Sequence, residues 1–127
     1  MTADARPTTV PLLRHDPGDA APVSSNRLLE GDPAPLAWNL YTDRTGQFFA
    51  GQWQAGPGRW RVVYAPHEEG FCVLLEGEVR LTDATGSSRH FRAGDALVVP
   101  GGFEGEWCNL APVRKHDAVM NVKEPRS

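Results

Sequence analysis

From Leu36 onward the chain is written in short runs of β-branched and aromatic residues, cut by Gly, Asp, Asn and Pro so that turn signals return about every eight to 12 residues. No other feature limits the fold so severely. Elements this short can hide their apolar faces only by pairing into sheets that pack on, or close around, one another. The runs predict strands over residues 37–41, 48–54, 59–64, 71–75, 78–82, 88–91, 96–99, 105–109 and 114–122. Helix-compatible sequence is confined to residues 26–30 and the final 14 residues, enough for a helical turn at either place. No helix-turn-helix candidate is present, which argues against a self-contained transcriptional regulator. The expected class is all-β, a sandwich or barrel.

The first 35 residues read differently. They hold six of the 11 prolines, at Pro7, Pro11, Pro17, Pro22, Pro33 and Pro35. Proline fixes φ and removes a backbone donor, so neither a regular strand nor a long helix is expected there. Short apolar pieces at residues 10–13 and 28–29 suit an extended arm docked on the domain, and a partly disordered tail fits the same composition. The resulting division is an N-terminal arm over 1–35, a β domain over 36–122 and a tail over 123–127.

Composition excludes several roles. At 127 residues, 40% of them hydrophobic, the chain can bury one domain's core. Thirteen Lys and Arg oppose 16 Asp and Glu, a net charge of −3, where nucleic-acid binding needs concentrated positive charge. No apolar run approaches the ~20 residues needed to span a bilayer, and residues 1–11 lack the apolar core of an export signal. A cytoplasmic protein is expected. Two cysteines, Cys72 and Cys108, are too few for a disulfide scaffold or a four-cysteine zinc site. Their opposite strand parity disfavours a bridge between them.

Gly58 and Gly77, then Gly94, Pro100, Gly102 and Asn109, stand at the spacing of the two motifs of the cupin superfamily, small jelly-roll barrels with a central pocket. The chain from about Leu36 to Met120 resembles that superfamily. The segments LLEGEVRLTD, FRAGDALVVPGGFEGEW and PVRKH resemble most its (S)-ureidoglycine aminohydrolase-like group. The resemblance implies a single-domain cupin jelly-roll barrel with the Pro-rich arm attached. It also implies where metal ligands would stand. The two histidine positions of the first motif hold Tyr64 and Pro66, its glutamate position holds Gly70, and the second-motif histidine position holds Gly105. Gly and Pro side chains carry no donor atom, and a neutral phenol is a poor ligand. The consensus metal site is therefore absent, and no cofactor is implied. A one-residue slip would bring Glu69, next to His67 and Glu68, to the carboxylate position. Two ligands are too few, and a third would have to come from His116, Glu104 or Glu106. A solvated acidic loop is the plainer reading of His67, Glu68 and Glu69.

Side chains alternate along a strand, so the ligand register predicts which residues point inward. With Tyr64 go Val62 and Trp60; with Gly70 go Cys72 and Leu74; with Gly105 go Phe103, Trp107 and Asn109. The expected pocket has aromatic walls, a thiol, a phenol and an amide, with volume opened by the lost ligands. Trp60, Phe103 and Trp107 suit ligand contact and core packing alike. Cys72 reads as an inert thiol or a pocket group, and Tyr64 as a general acid or a structural hydrogen-bonding group. Glu104 and Glu106 should point away. Trp53 and Phe49 share a face expected to pack on the arm or a second subunit. On the last strand one of Lys115 and His116 must face inward: Lys115 would favour an anionic substrate, and His116 could act as acid or base.

Tyr64, Glu69 and His116 are thus the candidate catalytic groups, with Trp60, Cys72, Phe103, Trp107, Asn109 and Lys115 as candidate ligand contacts. Two functions stay open. One is an enzyme or enzyme-like cupin acting on a small polar metabolite, with hydrolase, lyase or isomerase chemistry. The other is a non-catalytic ligand-binding module; a displaced His67/Glu69 metal site is a further variant of the first. The expected partners are a small molecule and, through the apolar face of Phe71, Val73 and Leu75, a second copy in a homodimer.

Overall fold

The computed structural model describes residues 6–15 and 17–123. Among these no helix occurs, so none is long and apolar enough to cross a membrane. The strands are β1 (Asp19–Ala20), β2 (Leu28–Gly31), β3 (Leu36–Thr42), β4 (Phe48–Ala55), β5 (Gly58–Val63), β6 (Glu68–Glu76), β7 (Glu78–Asp83), β8 (Ser88–Arg92), β9 (Ala96–Val99), β10 (Glu104–Asn109) and β11 (Val113–Asn121). They form a six-stranded sheet, β1-β3-β4-β11-β6-β9, and a five-stranded sheet, β2-β5-β10-β7-β8. Every pairing is antiparallel. Consecutive strands repeatedly cross between the two sheets, and this is the jelly-roll path.

Each of the nine sequence runs becomes a strand. Among the described residues of the Pro-rich segment two short strands form, β1 and β2, which add to opposite sheets. Pro17, Pro22 and Pro33 all lie outside these two strands, so no ladder hydrogen bond is lost to them. The helical turn expected over 26–30 is instead a tight turn at 25–27 running into β2. In the final 14 residues β11 continues to Asn121, and residues 124–127 lie outside the described residues. Gly77 makes the turn by which the chain passes from β6 in one sheet to β7 in the other, where a hairpin was expected, and Gly94 the turn before β9, at φ of 94° and 95° that other residues avoid.

The two sheets enclose a core that includes Leu74, Val79, Leu81, Leu97 and Val113. Leu74, Val79 and Val113 are 0–1% exposed, each contributing about 1.5–3 kcal/mol of burial. The outer face of the six-stranded sheet is covered at its β3–β4 side by the arm. The Trp38 indole N–H donates to the His15 carbonyl at 2.9 Å, and the Arg14 guanidinium lies 4.3 Å from the Trp38 ring centroid. On the same face, farther along the sheet, Phe71, Val98 and Met120 remain exposed.

Candidate functional site

The four consensus ligand positions converge at one end of the barrel, and packing fills that space. Tyr64 follows β5 and folds over β6, so a Cβ added to Gly70 would stand 3.0 Å from both the Tyr64 hydroxyl oxygen and Cε2. At Gly105 an added Cβ would collide with the Thr82 carbonyl of the neighbouring strand and come within 3.0 Å of Phe103 Cζ. The volume expected from losing the ligands is therefore taken up by the Tyr64 and Phe103 rings. Among the described residues no group of three or more His, Cys, Asp or Glu is arranged to hold a metal ion. The residues present do not fit the metal that the fold implies.

The displaced alternative fares no better. Glu69 has opposite parity to the buried Gly70 and lies on the outer face, where its carboxylate accepts the Gly101 N–H at 2.7 Å. That bond anchors the turn before β10 and leaves Glu69 outside the barrel interior.

The interior chemistry centres on tryptophan. Trp60 and Trp107, adjacent on β5 and β10, stack at 6.5 Å with planes 19° apart. Trp53 leans on both, at 6.0 and 6.2 Å. Trp53 thus faces inward, against the expectation that it would pack on the arm or a second subunit. The cause is register: Trp53 on β4 pairs with Lys115 on β11, and Lys115 in turn with core Leu74 on β6. Lys115 is accordingly the inward member of its pair. Its ammonium lies 4.6 Å from the Trp107 centroid and 4.8 Å from that of Trp53, a double cation–π contact. Asp117, two residues on and on the same face, approaches it at 3.7 Å; the side chains are 13% and 27% exposed.

His116 pairs with Gln52 and Val73 and so faces the outer side, with its Nδ1 buried and without a hydrogen-bond partner among the described residues. The structure therefore separates the three candidate catalytic groups: Tyr64 is at the barrel mouth, whereas Glu69 and His116 are on the opposite face of the sheet.

Cys72 lies inside, directly across from Asp117. Burial pushes its thiol pKa up; the Lys115 charge pulls it down and Asp117 raises it, so the group remains a thiol. It is free, as is Cys108. The Tyr64 hydroxyl is pushed up to about 12, chiefly by burial, with Glu68, Cys72 and Asp117 adding to it. At neutral pH Tyr64 is a proton donor. Asn109, 2% exposed, accepts from the Trp107 indole at 2.7 Å and donates to the Gly56 carbonyl at 3.0 Å. Its amide is committed at both ends, to Trp107 on its own strand and to the connection between β4 and β5. Phe103 is half-buried against the core.

Beside this cluster lies an open cleft of about 600 Å³, which sequence reasoning missed. Trp53, Trp60 and Val62 line it from the barrel, and the connection between β1 and β2, including Val23 and Arg27, forms the opposite wall. The strand pattern places the first three but gives no position for the wall, because that depends on where a proline-rich loop runs. Asp117 was also missed, although period-two alternation links it to Lys115 once the latter is known to face inward.

Two antiparallel sheets in jelly-roll order, with positive-φ glycines at the hairpins and polar groups gathered at one end of the barrel, define a cupin. Residues 42–116 match the EutQ-like cupin domain, and the chain belongs to that family. Its fold is similar to that of a protein of unknown function of the DUF861 family from Pseudomonas syringae (27% identity, TM-score 0.69), over 80% of this chain and 43% of that one. This chain thus spans less than half of that protein. It is also similar in fold to an ethanolamine utilization protein Q from Salmonella typhimurium, at 21% identity and TM-score 0.61, over 71% and 72% of the two chains. The EutQ protein of Clostridium difficile shares the fold at 10% identity and TM-score 0.61, over 72% and 65%. No curated protein matches the chain.

Proposed function

We propose that this cupin binds a small polar metabolite around Trp53, between the open cleft and the Lys115–Asp117 pair, without the metal usual to its fold. The carrying observation is the Lys115 ammonium, held inside the barrel over two indoles and beside a carboxylate. Desolvating two charges costs free energy that a 3.7 Å pair in the barrel recovers poorly, so such a pair is weak support for stability and leaves both charges open to another role. A cleft of about 600 Å³ is within the usual range for small-molecule sites. The protonated Tyr64 hydroxyl, Lys115 and Asp117 offer donors and an acceptor at the barrel mouth, which suits an enzyme or enzyme-like role as well as simple capture. The resemblance to ureidoglycine aminohydrolase-like cupins supports a small polar ligand. Their amine-releasing activity is not carried over, because it depends on a metal whose ligand side chains are missing here. Function as a cytoplasmic homodimer belongs to the same reading, supported by the exposed Phe71, Val98 and Met120 on the outer sheet face.

The test is a thermal-shift screen of polar metabolites against the wild-type chain and a Lys115→Met variant. The expected result is at least one compound that raises the melting temperature of the wild type and not of the variant. Compounds that stabilise both equally would place the ligand elsewhere.

A further inference from the structure

We infer that the cleft under residues 21–27 is a receptor for a planar organic anion, an aromatic or conjugated carboxylate. This deepens the reading above and rests on it, since the cleft must first take a ligand. The barrel side of the cleft is lined by two indoles, the half-buried Trp53 and, 6.0 Å away and tilted by 52°, the more deeply buried Trp60, so an aromatic wall is there for a ring to pack on. The charge around it is selective. The chain carries 16 Asp and Glu against 13 Lys and Arg, yet among the described residues no Asp or Glu borders this cleft, whereas Arg27 and Arg61 do, Arg61 with strand parity opposite to the inward Trp60 and Val62.

Neither guanidinium makes an ion pair among the described residues. Arg61 also borders a neighbouring cavity lined by Glu104 and Glu106, and Glu106 is already engaged by Arg59 at 2.7 Å. Arg27 is thus the cleaner anchor. Its turn is built in: the Arg27 N–H donates to the Ser24 carbonyl and the Arg61 N–H to the Arg27 carbonyl, each at 2.9 Å. Those bonds hold the backbones of residues 27 and 61 side by side at one rim. A guanidinium fork matches a carboxylate in two parallel hydrogen bonds, so it would orient the acid group while the ring lies on the indoles.

The experiment is calorimetric titration of the full chain with 1-naphthoate and, separately, with the uncharged 1-naphthamide, repeated on Arg27→Gln. Arg27 is exposed, and a melting curve checks that the variant is folded. The expected result is binding of the acid about tenfold or more tighter than the amide, with that preference lost in the variant. Equal binding of acid and amide would overturn the anion class and leave the cleft a ligand site. No heat from either probe, beside a metabolite whose stabilisation depends on Lys115, would overturn this inference and spare the proposed function. No ligand of any kind would overturn both.

Discussion

Two groups of aromatic side chains inside the same barrel do opposite things. Around Gly70 and Gly105 the rings of Tyr64 and Phe103 occupy the space where the family's ligands would stand. Around Lys115 the rings of Trp53 and Trp107 leave room for an ammonium and flank it. The difference lies in what carries the rings. Tyr64 and Phe103 sit at the ends of strands, next to glycines whose missing side chains let a ring fold inward. The tryptophans sit within paired strands, where register holds the rings 6.0–6.5 Å apart, with Trp60 and Trp107 buried and Trp53 half-buried beside the cleft. Aromatic content alone thus does not say whether a pocket is filled or furnished.

The most disruptive way to probe this contrast is to restore a ligand. Gly105→His puts a Cβ against the Thr82 carbonyl, a backbone atom that cannot swing away. Overpacking of this kind costs about 3 kcal/mol. Urea denaturation should show a loss of that order, and elemental analysis of the variant should find metal well below one equivalent. A variant as stable as the wild type with near-stoichiometric metal would mean that the ring-filled end can still become a metal centre.

A milder probe uses pH. The Tyr64 pKa is raised to about 12, against 10.0 for a free phenol. Between these values the unfolded chain has released a proton that the folded chain still holds. The contribution of Tyr64 is therefore fully present below pH 10 and is lost as pH rises toward 12, by about 2 kcal/mol. Denaturation at pH 9 and pH 11 should show about 1.4 kcal/mol of this fall in the wild type and a correspondingly shallower one in Tyr64→Phe. Equal slopes would mean that the ring is not shielded from water as the packing against Gly70 implies.

The fold was legible in the sequence because strand punctuation and the Gly58, Gly77, Gly94 and Gly102 spacing report local backbone demands. The site was only partly so. Parity places Trp60, Cys72 and Trp107 inside, since each is two or more even steps from a known position on its own strand. It could not choose between Lys115 and His116, because the residues around them are charged on both faces and the answer lies in the register of β11 against β4 and β6. Trp53 was misplaced although its strand carries a signal: Phe49, Gly51, Trp53 and Ala55 form a face without polar side chains opposite Gln52 and Gln54, and that face is the inward one. Glu69 and His116 became catalytic candidates through chemistry alone, and both turned out to face the other way. Asn109 was assigned to the pocket from its motif position, whereas its hydrogen bonds to Trp107 and Gly56 give it a structural task that no spacing reveals. The cleft depended on a loop rich in proline, whose path is set by tertiary contacts.

The smallest expected effect sharpens the comparison most. Replacing Lys115 by Met removes an ammonium from between two indoles and leaves an unbranched chain of similar length to fill the space. The lost cation–π contacts are worth about 1 kcal/mol, but the charge no longer has to be desolvated, and Asp117, 27% exposed, can turn to water. The terms nearly cancel, so the stability of Lys115→Met should lie within about 1 kcal/mol of the wild type, by urea denaturation at pH 7. A loss of about 3 kcal/mol or more would show that the ammonium is part of the barrel's structural core. A charged group inside the barrel that proved so cheap to remove would not be held there for stability, and under the proposed function that result would separate the tryptophan cluster from the rings that merely fill.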